Sequence, residues 1–251
     1  MTEVFNDISK FQMKINTAKD SIGFVPSLGA LHEGHISLIK RSLNENSHTV
    51  VSLFLNPTQF NDKNDLKNYP NTFDDDLKIL QNLKVDFLLA PEPNNIYPDD
   101  YTYKINETKL SNVLCGATRP GHFTGVLTIV AKLLNIVNPN RAYFGEKDYQ
   151  QYLLIDYMTK ALFMKTKIVP CPIIREPSGL ALSSRNLLLT EGEKLIAPNL
   201  HKIISSDSSI SDMHTQLTGF GFKVDYIEEH WGRLFAAAFL GNVRLIDNVQ
   251  I

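Results

Sequence analysis

The sequence lacks the charge pattern of a nucleic-acid-binding protein and the long apolar runs of a membrane protein. Its formal net charge is -2 over 251 residues, and Lys40-Arg41 is the only adjacent pair of basic residues. A basic stripe that could follow a phosphate backbone or an anionic bilayer is therefore missing. The longest nearly apolar run, residues 125–137, is interrupted by Lys132 and is shorter than the roughly 20 residues that a membrane-spanning helix needs. We expect neither nucleic acid nor a membrane as a partner.

Cysteine is also scarce. Cys115 and Cys171 lie far apart without the spacing of metal ligands, and a chain of this length does not depend on one disulfide. The N-terminal stretch MTEVFNDISKFQMKI carries acidic residues and lacks the positively charged start of a signal peptide. We therefore expect reduced thiols and a cytoplasmic protein.

Short β-branched or aromatic runs alternate with helix-length periodic segments over the first 200 residues. The strand-like runs lie at 22–25, 49–55, 85–89, 141–144 and 167–174. The periodic segments lie at about 35–46, 72–83, 122–137, 148–163 and 190–204. This alternation is typical of βαβ units, so the sequence predicts an α/β fold with a parallel sheet.

The pattern changes beyond Ser205. The Ser/Asp-rich stretch SSDSSISD is followed by strand-like runs at 222–227, 233–240 and 244–246. We interpret this region as a linker and a small α+β domain. The expected division is residues 1–186 for the sheet domain and residues 187–251 for the linker and the small domain.

Ligands of parallel α/β sheets bind outside the carboxyl ends of the strands, so the loops that follow strands are the informative ones. In SLGALHEGH, Gly29 and Gly34 allow the backbone to approach a ligand, and a helix that begins near Gly34 or His35 directs free N–H groups at an anion. His32 and His35, three residues apart, share one face and suit a triphosphate. The spacing is wrong for the zinc motif H-E-x-x-H, whereas an ordinary turn with surface histidines stays open.

The loop GEKDYQQ follows the fourth predicted strand. It places Gly145, Glu146, Lys147 and Asp148 at the strand end, and Asp148 is expected to be the N-cap of the next helix. Lys147 is then a point charge suited to phosphate, although a solvated turn explains the same residues equally well.

Two further loops offer polar groups. LALSSRN combines Ser183, Ser184 and Arg185, which form either a donor cluster for phosphate oxygens or a capping Ser pair beside a surface Arg. NPTQF supplies Asn56 and Gln59, whose amides both donate and accept and suit a substrate with hydroxyl and carboxylate groups. A plain Asn-Pro turn is the alternative.

Two helix starts carry charged residues. RPGHF brings Arg119 and His122 to a predicted N-terminus, where His122 is either a cap or a ligand contact. In FDDDL, the acidic triplet follows Thr72. Favourable placement in the helix dipole explains the triplet, and magnesium binding by Asp75 or Asp76 is the sharper alternative.

Taken in order, the segments PSLGALHEGHISLI, FLNPTQF, YPNTFDDDL, RPGHFTGVLTIVAKL, AYFGEKDYQQ and REPSGLALSSRN closely resemble the motifs of the pantothenate synthetase (pantoate–β-alanine ligase) family, and RLIDN fits its C-terminal end. That family belongs to a wider nucleotidyltransferase group with a Rossmann-like fold and a His-x-Gly-His motif. The resemblance implies condensation of pantoate with β-alanine by way of a pantoyl adenylate, with release of AMP and pyrophosphate. It also implies ATP and Mg²⁺, a homodimer, and a small C-terminal domain that acts as a lid.

Carried over residue by residue, the resemblance implies an ATP site, a substrate site and a metal site. His35 is the implied acid, with His32 and Lys147 on the phosphates. The implied ATP-binding residues are Leu28, Gly29, Ala30, Leu31, His32, Glu33, Gly34, His35, Gly145, Glu146, Lys147, Asp148, Ile174, Leu182, Ser183, Ser184 and Arg185. Gln59 and Gln151 would hold substrate, with support from Asn56, Tyr69, Arg119 and His122. Asp75 and Asp76 would bind magnesium.

Departures from the family pattern are few. Ser27-Leu28 replaces the usual Thr-Met, Asn71 stands where Arg is common, and residues 198–235 look compressed. Two rival functions share the His-x-Gly-His loop. An adenylyltransferase would pass AMP to a phosphate acceptor without releasing it, and a nucleotide sensor would bind without turnover. The intact Lys147, His35 and Ser183-Ser184-Arg185 argue against the sensor.

Overall fold

In the computed structural model, which describes residues 2–18, 20–61 and 63–251, six parallel strands form the main sheet. Its strands are β1 (Glu3–Phe5), β2 (Ile22–Ser27), β3 (His48–Leu53), β4 (Phe87–Leu89), β5 (Arg141–Gly145) and β6 (Lys167–Cys171), in the spatial order β1-β4-β3-β2-β5-β6. β2 pairs with β3 on one side and with β5 on the other. The strand order reverses there, so the loops after β2 and β5 are neighbours at the edge where such sheets bind ligands.

Helices cover both faces of this sheet. They are α1 (Ile8–Ile15), α2 (Glu33–Glu45), α3 (Lys63–Lys67), α4 (Phe73–Asn82), α5 (Pro93–Ile96), α6 (Cys115–Thr118), α7 (His122–Val137) and α8 (Tyr149–Ala161). One core packs α1, α7 and α8 against the sheet, and a second core packs α2 and α4 against the opposite face. Strands that are covered on both sides read as near-continuous apolar runs, as in the buried Val50-Val51 pair of β3.

The C-terminal part contains α9 (Glu191–Ile196), α10 (Asn199–Ile204), α11 (Ile210–Gly219) and the antiparallel sheet β7 (Lys223–His230), β8 (Arg233–Leu240) and β9 (Val243–Gln250). Alternate residues of β8 face opposite sides, as the two-residue period of a strand requires. Leu234 and Leu240 pack with α10 and α11 in a separate core, whereas Phe235 packs into the core of the parallel sheet. The small sheet therefore packs against the core of the parallel sheet and its helices, with Phe235 beside Tyr149 of α8.

The α/β class and the Rossmann-like parallel sheet are confirmed, but several element boundaries differ from expectation. The predicted helix 190–204 is divided between α9 and α10, because Pro198 lacks the N–H that would continue the helix. The SSDSSISD stretch is only partly a linker, since Ser209 caps α11. The third and sixth strands end at Leu53 and Cys171, earlier than predicted. β1 and α1 were not predicted at all.

The expected domain boundary between residues 186 and 187 stays a prediction. Leu180, on its N-terminal side, packs in the core of the small domain together with Leu189. Within the described part of the chain, none of the helices combines the length and apolar character needed to cross a membrane.

Candidate active site

A cavity of about 250 Å³ lies at the carboxyl ends of β2 and β5. It continues into a larger cleft of about 1150 Å³ between loops that adjoin the parallel sheet and the C-terminal sheet. The residues that line both spaces are Arg119, Lys147, Asp148, Ser183 and Arg185. Three cations and one carboxylate therefore mark the passage between cavity and cleft.

Most of the residues expected at the site do line this cavity. They are Leu28, His32, Gly34, His35, Asn56, Gln59, Tyr69, Arg119, His122, Gly145, Lys147, Asp148, Gln151, Ile174, Leu182, Ser183, Ser184 and Arg185. The structure does not place the others in the lining, and these are Gly29, Ala30, Leu31, Glu33, Glu146, Asp75 and Asp76. Loops that are far apart in sequence thus meet in one place.

The carboxylate of Asp76 holds the loop after β2 through two hydrogen bonds to its backbone. Its Oδ2 accepts a hydrogen bond from the Ala30 N–H at 2.9 Å, and its Oδ1 accepts from the Leu31 N–H at 2.7 Å. Ala30 and Gly29 have φ angles of 51° and 102°, so the backbone here is in the left-handed region. The Ser184 hydroxyl donates to the Ala30 carbonyl at 3.0 Å. Gly29, Ala30, Leu31 and Asp76 therefore shape the loop rather than line the cavity, whereas Ser184 does both.

His32 and His35 form the start of α2, which begins at Glu33, slightly earlier than expected. His32 is the N-cap, and its Nδ1 accepts from the Gly34 N–H at 3.1 Å. The Nδ1 of His35 faces the N–H of His32 at 3.4 Å, and the ring centroids are 4.2 Å apart. A Cβ on Gly34 would lie 2.7 Å from the His32 ring, so glycine is required beside this cap.

Both imidazoles are neutral at physiological pH. Burial, with the Lys147 ammonium acting in the same direction, lowers the pKa of His32 to about 4. Burial, with His32 acting in the same direction, lowers the pKa of His35 to about 3. A neutral imidazole that accepts at Nδ1 carries its proton on Nε2. Each ring can therefore donate one Nε2–H hydrogen bond without carrying charge.

Lys147 stands opposite this pair, in a 3₁₀ turn of residues Glu146–Asp148 between β5 and α8. Its side chain is 18% exposed, and its ammonium lies 3.6 Å from the Asp148 carboxylate. Asp148 occupies the N-cap position of α8, but its side chain makes no capping hydrogen bond, contrary to expectation. A Cβ on Gly145 would meet nothing within 4 Å, so this glycine leaves open space at the cavity wall.

The NPTQF loop orients the amide of Gln59. The Nδ2 of Asn56 donates to Gln59 Oε1 at 3.0 Å and to the Gly125 carbonyl at 3.2 Å. The Oδ1 of Asn56 accepts from Thr58 and from Tyr97. Asn56 is fully buried, and its hydrogen-bonding groups are occupied within the protein. It positions Gln59, whose NH₂ group stays available as a donor at the cavity wall.

Arg119 and His122 act as a pair. The Nδ1 of His122 donates to the Gln59 carbonyl at 2.8 Å, which leaves Nε2 as the acceptor for the Arg119 guanidinium at 3.0 Å. Burial, followed by the charge of Arg119, lowers the pKa of His122 to about 3. His122 is the first residue of α7, and Gly121 occupies the cap position. The neutral imidazole therefore holds Arg119 in place.

The three donors of LALSSRN have different surroundings. The Ser183 side chain accepts from the Arg185 N–H at 3.3 Å, and Ser184 is tied to the loop after β2. The Arg185 guanidinium pairs with the Asp65 carboxylate at 2.9 Å and lies 6.0 Å from the centre of the Tyr69 ring. Ser183, Ser184 and Arg185 therefore make hydrogen bonds and an ion pair that stabilise the surrounding loops, as well as lining the cavity with potential hydrogen-bond donors.

One wall of the cavity is apolar and was missed by sequence reasoning. It consists of Phe54, Val126, Ile129, Val130 and Leu133. Four of these lie on α7, whose residues are mostly buried, so the sequence pattern only indicated a core helix. The cavity therefore joins a cationic end to an apolar side.

A profile of the pantoate-beta-alanine ligase family matches residues 3–250 of the chain. The chain belongs to this family. It is 49% identical to the pantothenate synthetase of Bdellovibrio bacteriovorus over 251 residues, which cover 100% of both chains. It is 50% identical to that of Legionella pneumophila over 248 residues, which cover 98% of both. These findings confirm the resemblance and an enzyme that ligates pantoate and β-alanine.

Solved structures agree over the whole fold. A pantoate-beta-alanine ligase from Francisella tularensis, complexed with beta-gamma ATP and beta-alanine, gives a TM-score of 0.96 at 45% identity, covering 100% of this chain and 98% of that one. The pantothenate synthetase of Thermus thermophilus gives 0.92 at 34% identity, covering 99% of each. This chain covers 98% and 99% of the length of these two relatives, so any shortening of residues 198–235 is shared with them.

The expected magnesium ligands do not fit a metal site in this structure. Both carboxylate oxygens of Asp76 already accept backbone N–H groups, and Oδ2 also accepts from Thr72. The Asp75 side chain is 73% exposed and pairs with Lys78. Among the described residues, no cluster of three His, Cys, Asp or Glu could hold a metal. Asp148 is the only acid among the described residues that line the cavity.

Proposed function

We propose that the cavity joins pantoate to β-alanine in two steps. A carboxylate oxygen of pantoate attacks the α-phosphorus of ATP, and the bond from that phosphorus to pyrophosphate breaks. The amine of β-alanine then attacks the carbonyl carbon of the pantoyl adenylate. The bond from this carbon to AMP breaks, and the amine loses a proton. The observation that carries this proposal is the meeting of His32, His35 and Lys147 with Gln59 in one cavity.

The cationic end of the cavity suits the departing pyrophosphate. Lys147 supplies a positive charge, and the first turn of α2 supplies backbone N–H groups beside the two imidazoles. Pyrophosphate leaves as an anion, so the first step does not require a proton from either histidine. Their low pKa values make Nε2–H hydrogen-bond donation the role that fits them, rather than acid catalysis by an imidazolium.

The opposite side suits pantoate. The apolar wall of Phe54 and α7 residues can cover its two methyl groups, while the amides of Gln59 and Gln151 can bind its hydroxyl and carboxylate groups. Arg119, fixed by His122, can bind the carboxylate of β-alanine at the entrance from the cleft. A relative was solved with beta-gamma ATP and beta-alanine, which supports binding of both in this fold.

Magnesium, assembly and location complete the proposal. Mg²⁺ typically arrives on substrate phosphates and needs only one or two protein carboxylates, a demand that Asp148 can meet. When bound, the ion would neutralise phosphate charge.

The family resemblance supports a homodimer and a cytoplasmic location. Light scattering of the purified chain tests whether it is a homodimer.

A rapid-quench experiment tests the order of the two steps. Enzyme is mixed with ATP, Mg²⁺ and pantoate, without β-alanine, and pyrophosphate and AMP are measured. We expect a burst of about one pyrophosphate per active site, because a sequestered adenylate waits for the amine. Adding β-alanine should then release AMP and form pantothenate.

Three outcomes would contradict the proposal. Pyrophosphate that appears only after β-alanine is added would favour a concerted reaction. Transfer of AMP to a phosphate acceptor without AMP release would indicate an adenylyltransferase. ATP binding without turnover under all conditions would indicate a nucleotide sensor.

A further inference from the structure

The turn that carries Lys147 is held by the C-terminal sheet. Asn248, on β9, donates both hydrogens of its side-chain amide to this turn. The acceptors are the Glu146 carbonyl at 2.9 Å and the Lys147 carbonyl at 3.1 Å. Asn248 is 1% exposed, so water does not compete for these hydrogen bonds. A residue over 100 positions away in sequence thus fixes the main chain of Lys147.

Arg233, on β8, fixes Asn248 in turn. One guanidinium nitrogen donates to Asn248 Oδ1 at 2.8 Å, and the other donates to the Glu146 carboxylate at 3.1 Å. The guanidinium also lies 4.2 Å from the centre of the Tyr149 ring, at the start of α8. The planar fork of arginine makes both hydrogen bonds at once, a geometry that a lysine cannot reproduce. The Glu146 carboxylate therefore binds Arg233 and does not line the cavity.

The turn has few anchors of its own. Gly145 has no side chain, and the Asp148 side chain does not cap α8. The 3.6 Å contact between the Lys147 ammonium and Asp148 is the ion pair within the turn. The side-chain hydrogen bonds that position residues 146 and 147 at the cavity wall therefore come from Asn248 and Arg233.

We infer that Asn248, oriented by Arg233, is a positioning residue for Lys147 in the adenylation step. By holding the two carbonyls, it places the ammonium where charge develops on the departing pyrophosphate. This inference rests on the proposed adenylation of pantoate. The small domain would then help to build the phosphate site as well as cover it, and RLIDN at residues 244–248 acquires a role in the chemistry.

A double-mutant cycle tests the coupling. Single-turnover pyrophosphate release from ATP and pantoate is measured for Asn248→Ala and Arg233→Lys, each with Lys147 and with Lys147→Ala. With Lys147 present, we expect Asn248→Ala to slow release by about 10- to 100-fold, since a misplacement near 1 Å costs about that much. In the Lys147→Ala background the same change should cost less than about 2-fold, because residues that act as a unit are not additive. Arg233→Lys should show the same pattern with a smaller loss.

Arg175→Lys is the matched control. The Arg175 guanidinium binds the Asp247 carboxylate at 2.6 and 2.9 Å, which ties the same β9 strand to the sheet domain without touching the Lys147 turn. We expect this variant to lose thermal stability while its rate per folded active site stays within about 3-fold of wild type.

Equal losses in the two Lys147 backgrounds would overturn the inference, as would wild-type rates in both Asn248→Ala and Arg233→Lys. If Asn248→Ala does not fold, Arg233→Lys decides by the same criterion. Wild-type enzyme that releases no pyrophosphate from ATP and pantoate would instead refute the adenylation itself, so the two failures are distinguishable.

Discussion

Two segments face each other across the cavity, and they are held in different ways. The loop at residues 27–35 is fixed from within the sheet domain, by Asp76 on α4 and by the capping imidazoles of α2. The turn at residues 145–148 is fixed by Asn248 and Arg233 of the C-terminal sheet. One wall of the cavity is therefore held by contacts within the residues of the parallel sheet and its helices, whereas the geometry of the other wall depends on contacts with the C-terminal sheet.

This difference separates two kinds of sensitivity. Changes to Asp76, which supports the loop from α4, should act through local folding and the placement of backbone N–H groups. Changes around the turn should act on the rate of pyrophosphate release with a smaller effect on folding, because the contacts lie at a domain interface. Substitutions of Lys147 and Asp76 test this division, and one of His122 tests the link between Gln59 and Arg119; they follow in order of expected effect.

Lys147→Ala should have the largest effect. Removing a preorganised charge from the site of a developing anion typically slows a reaction by about 10²–10³-fold. We expect that loss in single-turnover pyrophosphate release, with little change in melting temperature because Lys147 lies in a turn outside the core. His35→Asn should lose a similar factor.

Lys160→Ala is the control for Lys147→Ala. Lys160 lies on α8 with a 69% exposed side chain that pairs with Asp156, away from the cavity. Near-wild-type release by Lys147→Ala at saturating ATP would remove the phosphate role, and an equal loss in Lys160→Ala would indicate a nonspecific charge effect.

Asp76→Ala should mainly reduce stability. It leaves the buried N–H groups of Ala30 and Leu31 without an acceptor, and each such group costs about 1–3 kcal/mol. We expect a loss of about 3 kcal/mol in the free energy of unfolding, measured by urea denaturation, together with weaker ATP binding. Asp75→Ala should change stability by less than about 0.5 kcal/mol, since its exposed pair with Lys78 contributes little.

The Asp76 and Asp75 pair also distinguishes loop support from metal binding. Equal losses of Mg²⁺-dependent activity in the two variants, with unchanged stability, would restore both carboxylates as metal ligands and would contradict the assignment of Asp76 to the loop.

His122→Gln should have the smallest effect, and it should depend on pH. The folded-state pKa of about 3 lies below the ordinary value of 6.5, so between these values the unfolded chain binds a proton that the folded protein does not. Stability from this group is thus present above pH 6.5 and is lost as pH falls towards 3. Each such group contributes a slope of about 1.4 kcal/mol per pH unit.

The measurement for His122 is urea denaturation at pH 7 and at pH 5. Wild type should lose roughly 2 kcal/mol more than His122→Gln between these values. His214→Gln, which removes an exposed imidazole of α11, serves as the control. Identical pH dependence in His122→Gln and wild type would show that the buried ring is not a neutral link between Gln59 and Arg119.

Sequence patterns predicted the parts of the fold that repeat locally. Strands β2 to β6 and helix α7 follow from short apolar runs and helical periodicity, and family motifs drew attention to His32, His35 and Lys147. The three-residue strand β1 was missed because it is stabilised by pairing with β4, more than eighty residues away. The strand propensity of a short segment contains no information about a pairing partner that is distant in sequence.

The supporting contacts of the site could not be predicted for the same reason. Asp76 was expected either to lie favourably in the helix dipole or to bind magnesium, because it belongs to an acidic triplet in the first turn of α4. Its role is set by the Ala30 and Leu31 N–H groups, 45 or 46 positions away in sequence. Arg185 is paired with Asp65 across 120 positions. Sequence spacing indicates which groups can do chemistry, whereas tertiary packing decides which of them are free to do it.

Oxygen transfer from pantoate tests the central claim most directly. Pantoate labelled with ¹⁸O in both carboxylate oxygens is converted with ATP and β-alanine, and AMP and pantothenate are analysed by mass spectrometry. If the carboxylate attacks the α-phosphorus and the amine then displaces AMP, the AMP carries one labelled oxygen and the pantothenate amide retains the other. AMP without label would contradict activation of pantoate as an adenylate in this cavity.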